Sequence, residues 1–398
     1  MNHHSKFGAV VAAAIIISGW AVAADMATMP GMGKTSRVEL GSSAAFDPGG
    51  RLLAVTKQGD HLMLYRSADE GASWSAPVVV NAQPEAISAD GENRPKVAFA
   101  HDGGVLVSWT RPLGKPNTGE IRFARADDGE HFSAPITVHR DRQEITHRFE
   151  SMLVTGDGRV MLAWIDKRDL ESAKAGKGTY RGAAIYAATS NDGGRSFQPE
   201  RKLADHSCEC CRISSSIDAD GAPLFMWRHV FAPNERDHAI VRIKPDGTPE
   251  AVQRATFDHW RIDGCPHHGP ALAVDGGGVR HAVWFSHKDG EGHVFYGRLA
   301  TGVDGLAVVG QRTVGGPLAE HADLAVAGRR VALLWKEFDG ERTRLLADVS
   351  EDGGVSFQRS ELANSAGASD QPRALQRGSA LYAFWRTEGE GLRVYRLP

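Results

Sequence analysis

Residues 190–197 read Ser190-Asn191-Asp192-Gly193-Gly194-Arg195-Ser196-Phe197. The spacing Ser-x-Asp-x-Gly-x-x-aromatic describes a tight turn between two strands. The Asp carboxylate accepts hydrogen bonds from turn amides, the Gly supplies a positive φ, and the aromatic ring packs beneath. The same spacing returns at Ser67, Asp69, Gly71 and Trp74, and again at Ser350, Asp352, Gly354 and Phe357. A fourth copy has Arg125 where the others have serine, followed by Asp127, Gly129 and Phe132. One copy is a weak signal, whereas copies with similar flanks along the chain describe a repeat.

Working outward, a second pattern runs out of phase with the first. An apolar strand, a Gly-rich turn and another apolar strand ending in Trp recur, with the tryptophans at Trp109, Trp164, Trp227, Trp284, Trp335 and Trp385. Typical copies are Ala271–Val274 before His281–Trp284, and Leu324–Val326 before Val331–Trp335. Short strands of small and β-branched residues suit the crowded axis of a propeller. A third strand such as Ala184–Ala188 follows each Trp, then the turn, then a last strand. Each unit is thus a four-stranded blade of roughly fifty residues, and the fold class is an all-β β-propeller. Inner-strand pairs start near Ser42, Arg94, Arg148, Arg212, His268, His321 and Arg373, which predicts seven blades, or six if the first unit is irregular. The last unit reaches Pro398 without an outer strand; Ser36–Leu40 would supply it and close the ring from the N-terminal side.

Composition agrees with a water-exposed β fold. Of 398 residues, 41% are hydrophobic and 24% charged, with 46 basic against 49 acidic side chains and no Lys/Arg-rich run. This balance argues against a nucleic-acid partner. Lys6, the apolar run Ala9–Ile17 and the small-x-small segment Ala21-Val22-Ala23 read as a cleavable export signal over residues 1–23, with an uncleaved anchor as the alternative. The predicted organisation is a signal peptide (1–23), a Met-containing tail (24–35) and a propeller (36–398). The location expected is periplasmic or secreted, with no membrane span after cleavage.

The turn repeats, the export signal and the length resemble the sialidase superfamily, also called BNR-repeat proteins, over nearly the whole mature chain. The resemblance implies the propeller fold. For activity it implies hydrolysis of terminal sialic acids by three arginines on the substrate carboxylate, a tyrosine nucleophile helped by a glutamate, and an aspartate acid/base. A sugar carboxylate calls for cationic forks, and it repels an anionic nucleophile, hence tyrosine. Arg94, Arg148, Arg212 and Arg373 each start an inner strand, and Glu150 and Asp166 are the acidic candidates. The chain departs from the family at Asn93-Arg94-Pro95, where the enzymes carry Arg-Ile-Pro. Tyr382, the nearest tyrosine, falls mid-strand. Blade-to-blade ion pairing is the other reading of the arginines.

Aligning the units places Asn93, Arg148, Cys211, His268, Glu320 and Asp370 just before the inner strands, a polar ring around one mouth of the channel. The cysteines sit on this ring. Cys208, Cys210 and Cys211 introduce the fourth unit, and Cys265, His267 and His268 introduce the fifth. Thiolates and imidazoles together suit a soft or borderline metal such as copper or zinc. Met26, Met29 and Met32 in the tail favour copper, since thioethers select Cu(I). Two disulfides are the competing account in an oxidising compartment.

Three functions follow as expectations. The first is a metal-binding or redox propeller using Cys208, Cys210, Cys211, Cys265, His267 and His268. The second is a hydrolase of acidic sugars using Arg94, Arg148, Arg212, Arg373, Glu150 and Asp166. The third is a non-catalytic propeller whose mouth engages a protein or glycan partner.

Overall fold

The computed structural model describes residues 1, 38–47, 49–264, 266–288, 290–303 and 305–398, with the side chain of residue 288 left aside. The expected signal peptide, the tail with Met26, Met29 and Met32, and Cys265 lie outside the described residues. Val38–Pro398 forms one compact unit. It is a seven-bladed β-propeller of antiparallel sheets, numbered here I to VII in chain order.

The inner strands are Ser42–Phe46, Lys96–Phe99, His147–Val154, Ser214–Ile217, Ala271–Val274, Ala319–Ala327 and Arg373–Arg377. Blades I to VI have four described strands each, and blade VII has three, ending with Gly391–Arg396. Of the segment expected to close the ring, residues 36 and 37 lie outside the described residues, and 38–40 have no strand assignment. Among the described residues, side chains join the two ends of the propeller. Ser42 donates from its amide and its hydroxyl to Asp370 Oδ2, both at 2.9 Å.

Seven hydrophobic clusters hold the ring, and each straddles two adjacent blades, including VII and I. Each repeated Trp faces the preceding blade: Trp164 joins the II–III cluster, Trp227 the III–IV cluster and Trp335 the V–VI cluster. All six are buried. A buried Trp removes about 150–250 Å² from water, a gross gain of about 4–6 kcal/mol at about 25 cal/mol/Å².

The indole N–H of these tryptophans needs an acceptor. In four blades a carboxylate supplies it: Glu85 to Trp109 (2.7 Å), Asp166 to Trp164 (3.0 Å), Asp258 to Trp284 (2.8 Å) and Glu337 to Trp335 (2.7 Å). Trp385 uses the Asp370 carbonyl at 2.9 Å. Trp227 Nε1, in blade IV, is buried without a hydrogen-bond partner among the described residues.

The Ser-x-Asp-x-Gly turns join the third and fourth strands. In each, the Ser hydroxyl donates to the Asp carboxylate and accepts from the Gly amide, as in Ser190 to Asp192 at 2.7 Å and Gly194 to Ser190 at 2.7 Å. Phe197, Phe357, Phe132 and Trp74 pack into the interface with the preceding blade. Arg125, the substitute for serine, bonds Asp127 at 2.7 Å and Asp102 at 2.8 Å, and reaches the Gly193 carbonyl in the turn of blade III. It therefore ties two turns together.

Candidate functional site at the axial mouth

The inner strands start at one end of the channel, and two of them carry a bulge there. In blade III the pairing slips around Phe149 and Glu150, and in blade VI around His321 and Ala322. Phe149 and His321 have φ of 59° and 52°. A bulge adds a residue and re-aims side chains, and a left-handed non-glycine residue costs free energy that a functional site often carries.

Glu92, from the loop before the blade II inner strand, reaches across the channel. Its Oε2 accepts the amides of Arg212 and Gly269, both at 2.9 Å. Its Oε1 lies 3.5 Å from the Arg212 guanidinium and 3.4 Å from His321 Nδ1. One carboxylate thus links blade II to blades IV, V and VI. Burial alone would push its pKa up, but Arg212, His321 and the amide hydrogen bonds outweigh that and hold it well below the carboxylate range.

Around Glu92 lie Lys96, Glu150, Arg94, Arg212 and Arg373. Burial brings the Lys96 ammonium down to about 8, with Glu150 opposing and Arg94 and Arg373 reinforcing the drop. Burial raises the Glu150 carboxyl, and Lys96 pulls it back. Glu150 Oε2 accepts from Thr110 at 2.9 Å, while Oε1 is buried without a hydrogen-bond partner among the described residues.

The predicted arginines separate into two kinds. Arg94, 2% exposed, is spent on the ring closure: it bonds Asp370 at 3.0 Å, Gln371 Oε1 at 2.9 Å and the carbonyls of Ser42, Gly91 and Gln371. Arg212 is pinned by Glu92 and by the carbonyls of Pro270 and Ala322. Arg373, by contrast, has one ion pair, to Asp323 at 3.3 Å, and keeps 28% of its side chain accessible. Burial and the neighbouring Arg212 and Arg94 lower its pKa against the pull of Asp323. Arg148 is held loosely, 3.4 Å from both Asn117 and Asp90, with its guanidinium over Phe149.

Asp166 does not join this group. It lies at the end of the second strand of blade III, bonded to Trp164 and clamped by Arg168 at 2.7 Å. Tyr382 donates to Glu70, a residue of the blade I turn. Tyr180, Tyr186 and Tyr296 contact Asp205, Asp169 and His281 respectively.

A shelf of rings flanks the network on blades V and VI. His268 stacks on Phe285 with centroids 4.2 Å apart and on His321 at 4.5 Å. Trp260 stacks on His287 at 5.9 Å, and Arg228 lies over Trp260 while donating to the His268 carbonyl. Burial and His321 bring His268 down to about 3, so its imidazole is neutral.

The metal candidates divide between two places. Cys208, Cys210 and Cys211 present three sulfurs within 4.8 Å of one another, buried beside Trp227 and Phe149. They lie in the loop before the blade IV inner strand, the position from which Glu85 and Asp258 cap the indoles of blades II and V. The Cys211 thiol is raised well above its ordinary value, first by its hydrogen bond to Cys208. Arg236 lies 3.7 Å from Cys208 Sγ. His268 is grouped with Glu320 and His321 rather than with these sulfurs, and His267 is exposed.

Glu92, Lys96 and Asp323 escape the sequence reading. The signal for Glu92 is faint: an acidic residue directly before the ring position Asn93.

No family model matches the chain, and no curated protein matches it in sequence. Among solved structures, an ulvan lyase of polysaccharide lyase family PL25 superposes with a TM-score of 0.55 at 11% identity, over 91% of this chain and 96% of that one. A second polysaccharide lyase gives 0.56 at 10% identity, over 92% and 91%. A Hadza microbial sialidase gives 0.50 at 15% identity, over 85% and 74%. The likeness is one of fold.

Proposed function

We propose that this propeller binds an acidic saccharide at its axial mouth. Arg373 and Arg148 take the sugar's carboxylate or sulfate, and the ring shelf of blades V and VI packs on its apolar face. The observation that carries the reading is Arg373, which has one carboxylate partner among the described residues and keeps 28% of its side chain accessible. Enclosed cations favour anionic ligands because little solvent screens them, and an arginine fork matches a carboxylate or sulfate in geometry. The superposing structures include polysaccharide lyases and a sialidase, and one ulvan lyase was solved bound to a glucuronate and sulfated-rhamnose unit. That supports a saccharide over other ligands for this fold, and it favours the glycan expectation over the metal one.

The test is calorimetric titration of uronate, sulfated and neutral oligosaccharides into wild type and Arg373→Ala, with absorbance at the double bond of an unsaturated uronate as a check for lyase turnover. The expected result is binding of acidic oligosaccharides only, weakened in Arg373→Ala by about 10-fold or more, the worth of a charged hydrogen bond. Equal binding of neutral and acidic sugars, or none of any, would refute it.

A second reading is favoured by the proximity of the Cys208, Cys210 and Cys211 sulfurs. Such a set suits copper or zinc. Metal content and thiol number of wild type and Cys211→Ser check it: stoichiometric metal lost in the variant supports it, and equal metal content in both removes it.

A further inference from the structure

We infer that His268, Glu320 and His321 form a binding site for a divalent transition metal of the zinc type, on the rim of blades V and VI and separate from the cysteine cluster. A nitrogen from each imidazole and an oxygen of Glu320 lie within 4.8 Å of one another. Two imidazoles and one carboxylate with an open position is a ligand set that zinc takes.

The orientation of His321 is already that of a ligand. Its Nδ1 faces the Glu92 carboxylate at 3.4 Å, and its Nε2 faces Glu320 Oε2 at 3.8 Å. A carboxylate behind one ring nitrogen fixes the tautomer and leaves the other nitrogen's lone pair free for a metal. The 3.8 Å gap is too long for a hydrogen bond. It is close to the separation of two ligands on one ion, about 3.4 Å for bonds of about 2.1 Å at the tetrahedral angle. Glu320 has the freedom to close the difference: its side chain is 40% exposed, and Lys336 at 3.4 Å is its other charged neighbour.

His268 supplies the third donor. Its Nδ1 is buried without a hydrogen-bond partner among the described residues. The stacking on Phe285 and His321 fixes the plane of the ring. An unpartnered buried nitrogen is costly unless something occupies it. The bulge at His321 gives the site its reason in the backbone, because without the extra residue this ring would follow the regular alternation of the strand. His268 and His321 also belong to the ring shelf assigned to the saccharide, so the metal would sit at the edge of that site; its uptake is measured without sugar.

The test is titration of cobalt(II) into chelator-treated, full-length protein, followed by visible absorption. The expected result is a ligand-field spectrum of a nitrogen and oxygen site without a sulfur-to-cobalt charge-transfer band. Glu320→Gln and His321→Asn are expected to weaken that binding by more than about 10-fold, with unchanged circular dichroism. Lys336→Met is expected to tighten it, since it removes the ammonium competing for Glu320. No cobalt uptake, uptake with sulfur charge transfer alone, or a Glu320→Gln variant that binds as wild type would overturn the inference. Because Glu320 is exposed, the last result does not depend on a variant that fails to fold.

Discussion

Replacing Glu92 by Gln tests whether the axial carboxylate holds the ring together. The substitution keeps the shape and one carbonyl oxygen. That oxygen can still accept from the amides of Arg212 and Gly269, which Glu92 Oε2 holds at 2.9 Å each. What disappears is the negative charge facing the Arg212 guanidinium at 3.5 Å, a pair whose side chains are 9% and 2% exposed. Removing one member of a buried pair costs about 3–5 kcal/mol, because the partner remains buried and uncompensated. Retention of the amide contacts puts Gln at the low end, about 3 kcal/mol. Unfolding entropy near the midpoint is about 2 cal/mol/K per residue, so a unit of about 360 residues should lose about 4 °C. The pH dependence adds a sharper test. The Glu92 pKa is depressed from 4.5 in the folded protein, so its contribution is complete above that value and is lost as the pH falls through the folded pKa. The gap between wild type and Glu92→Gln should therefore be constant above about 4.5 and narrow below it. Paired melting curves and urea midpoints over that range measure it. Equal stability at neutral pH, or a gap that fails to shrink in acid, would show that Glu92 is not the charged tie described.

Three further outcomes are expected. Arg94→Met should cost about 3–5 kcal/mol in urea unfolding, because it strands Asp370 at the ring closure, whereas Arg373→Met should cost far less. Gly353→Ala and Gly354→Ala share a φ of 79°, yet a Cβ at Gly353 meets nothing while one at Gly354 falls 1.8 Å from the Tyr296 hydroxyl oxygen. The first should cost about 1 kcal/mol by thermal melting, and the second about 2–4 kcal/mol. Lys96 has its pKa lowered from 10.5 to about 8, so its charge penalises the fold fully below 8 and the penalty lifts as the pH rises towards 10.5. Across that window wild type should gain stability relative to Lys96→Met, and parallel urea midpoints would count against the burial of this ammonium.

Features that repeat are legible in the sequence. The turns at Ser67, Ser190 and Ser350 have a local cause, since each Ser, Asp and Gly bonds within its own few residues. The tryptophans are legible because each blade meets the previous one in the same way. Ring positions follow from the repeat as well: Asn93, Cys211, His268 and Asp370 fall within three residues of an inner-strand start. What the sequence hides is reach across the axis. Arg94 and Arg373 both lie near an inner-strand start, but Asp370 and Gln371, partners of Arg94, lie at the far end of the chain, and local sequence is silent on them. Glu92 is hidden for the same reason. The helix Arg168–Ala175 is hidden for another: it buries Leu170 alone, too little to imprint a helical period.

Where the blades depart from one another is where chemistry collects. Two blades cap the indole with a carboxylate from the loop before the inner strand and two from the Trp strand itself, whereas blade IV places Cys208, Cys210 and Cys211 in the loop before its inner strand. Two inner strands carry a bulge, and these deliver Glu150 and His321 to the axis. Charge around the channel then follows a division of labour. Arg94 with Asp370 and Arg212 with Glu92 neutralise each other and join distant blades, so they leave little field for a ligand. Arg373 and Arg148 are under-paired, and Glu320 projects into solvent beside two neutral-capable imidazoles. The inner pairs join the blades, and the outer set stays under-paired around them. Loss of the inner pairs should therefore lower stability first, and loss of the outer groups should lower ligand affinity with the fold intact.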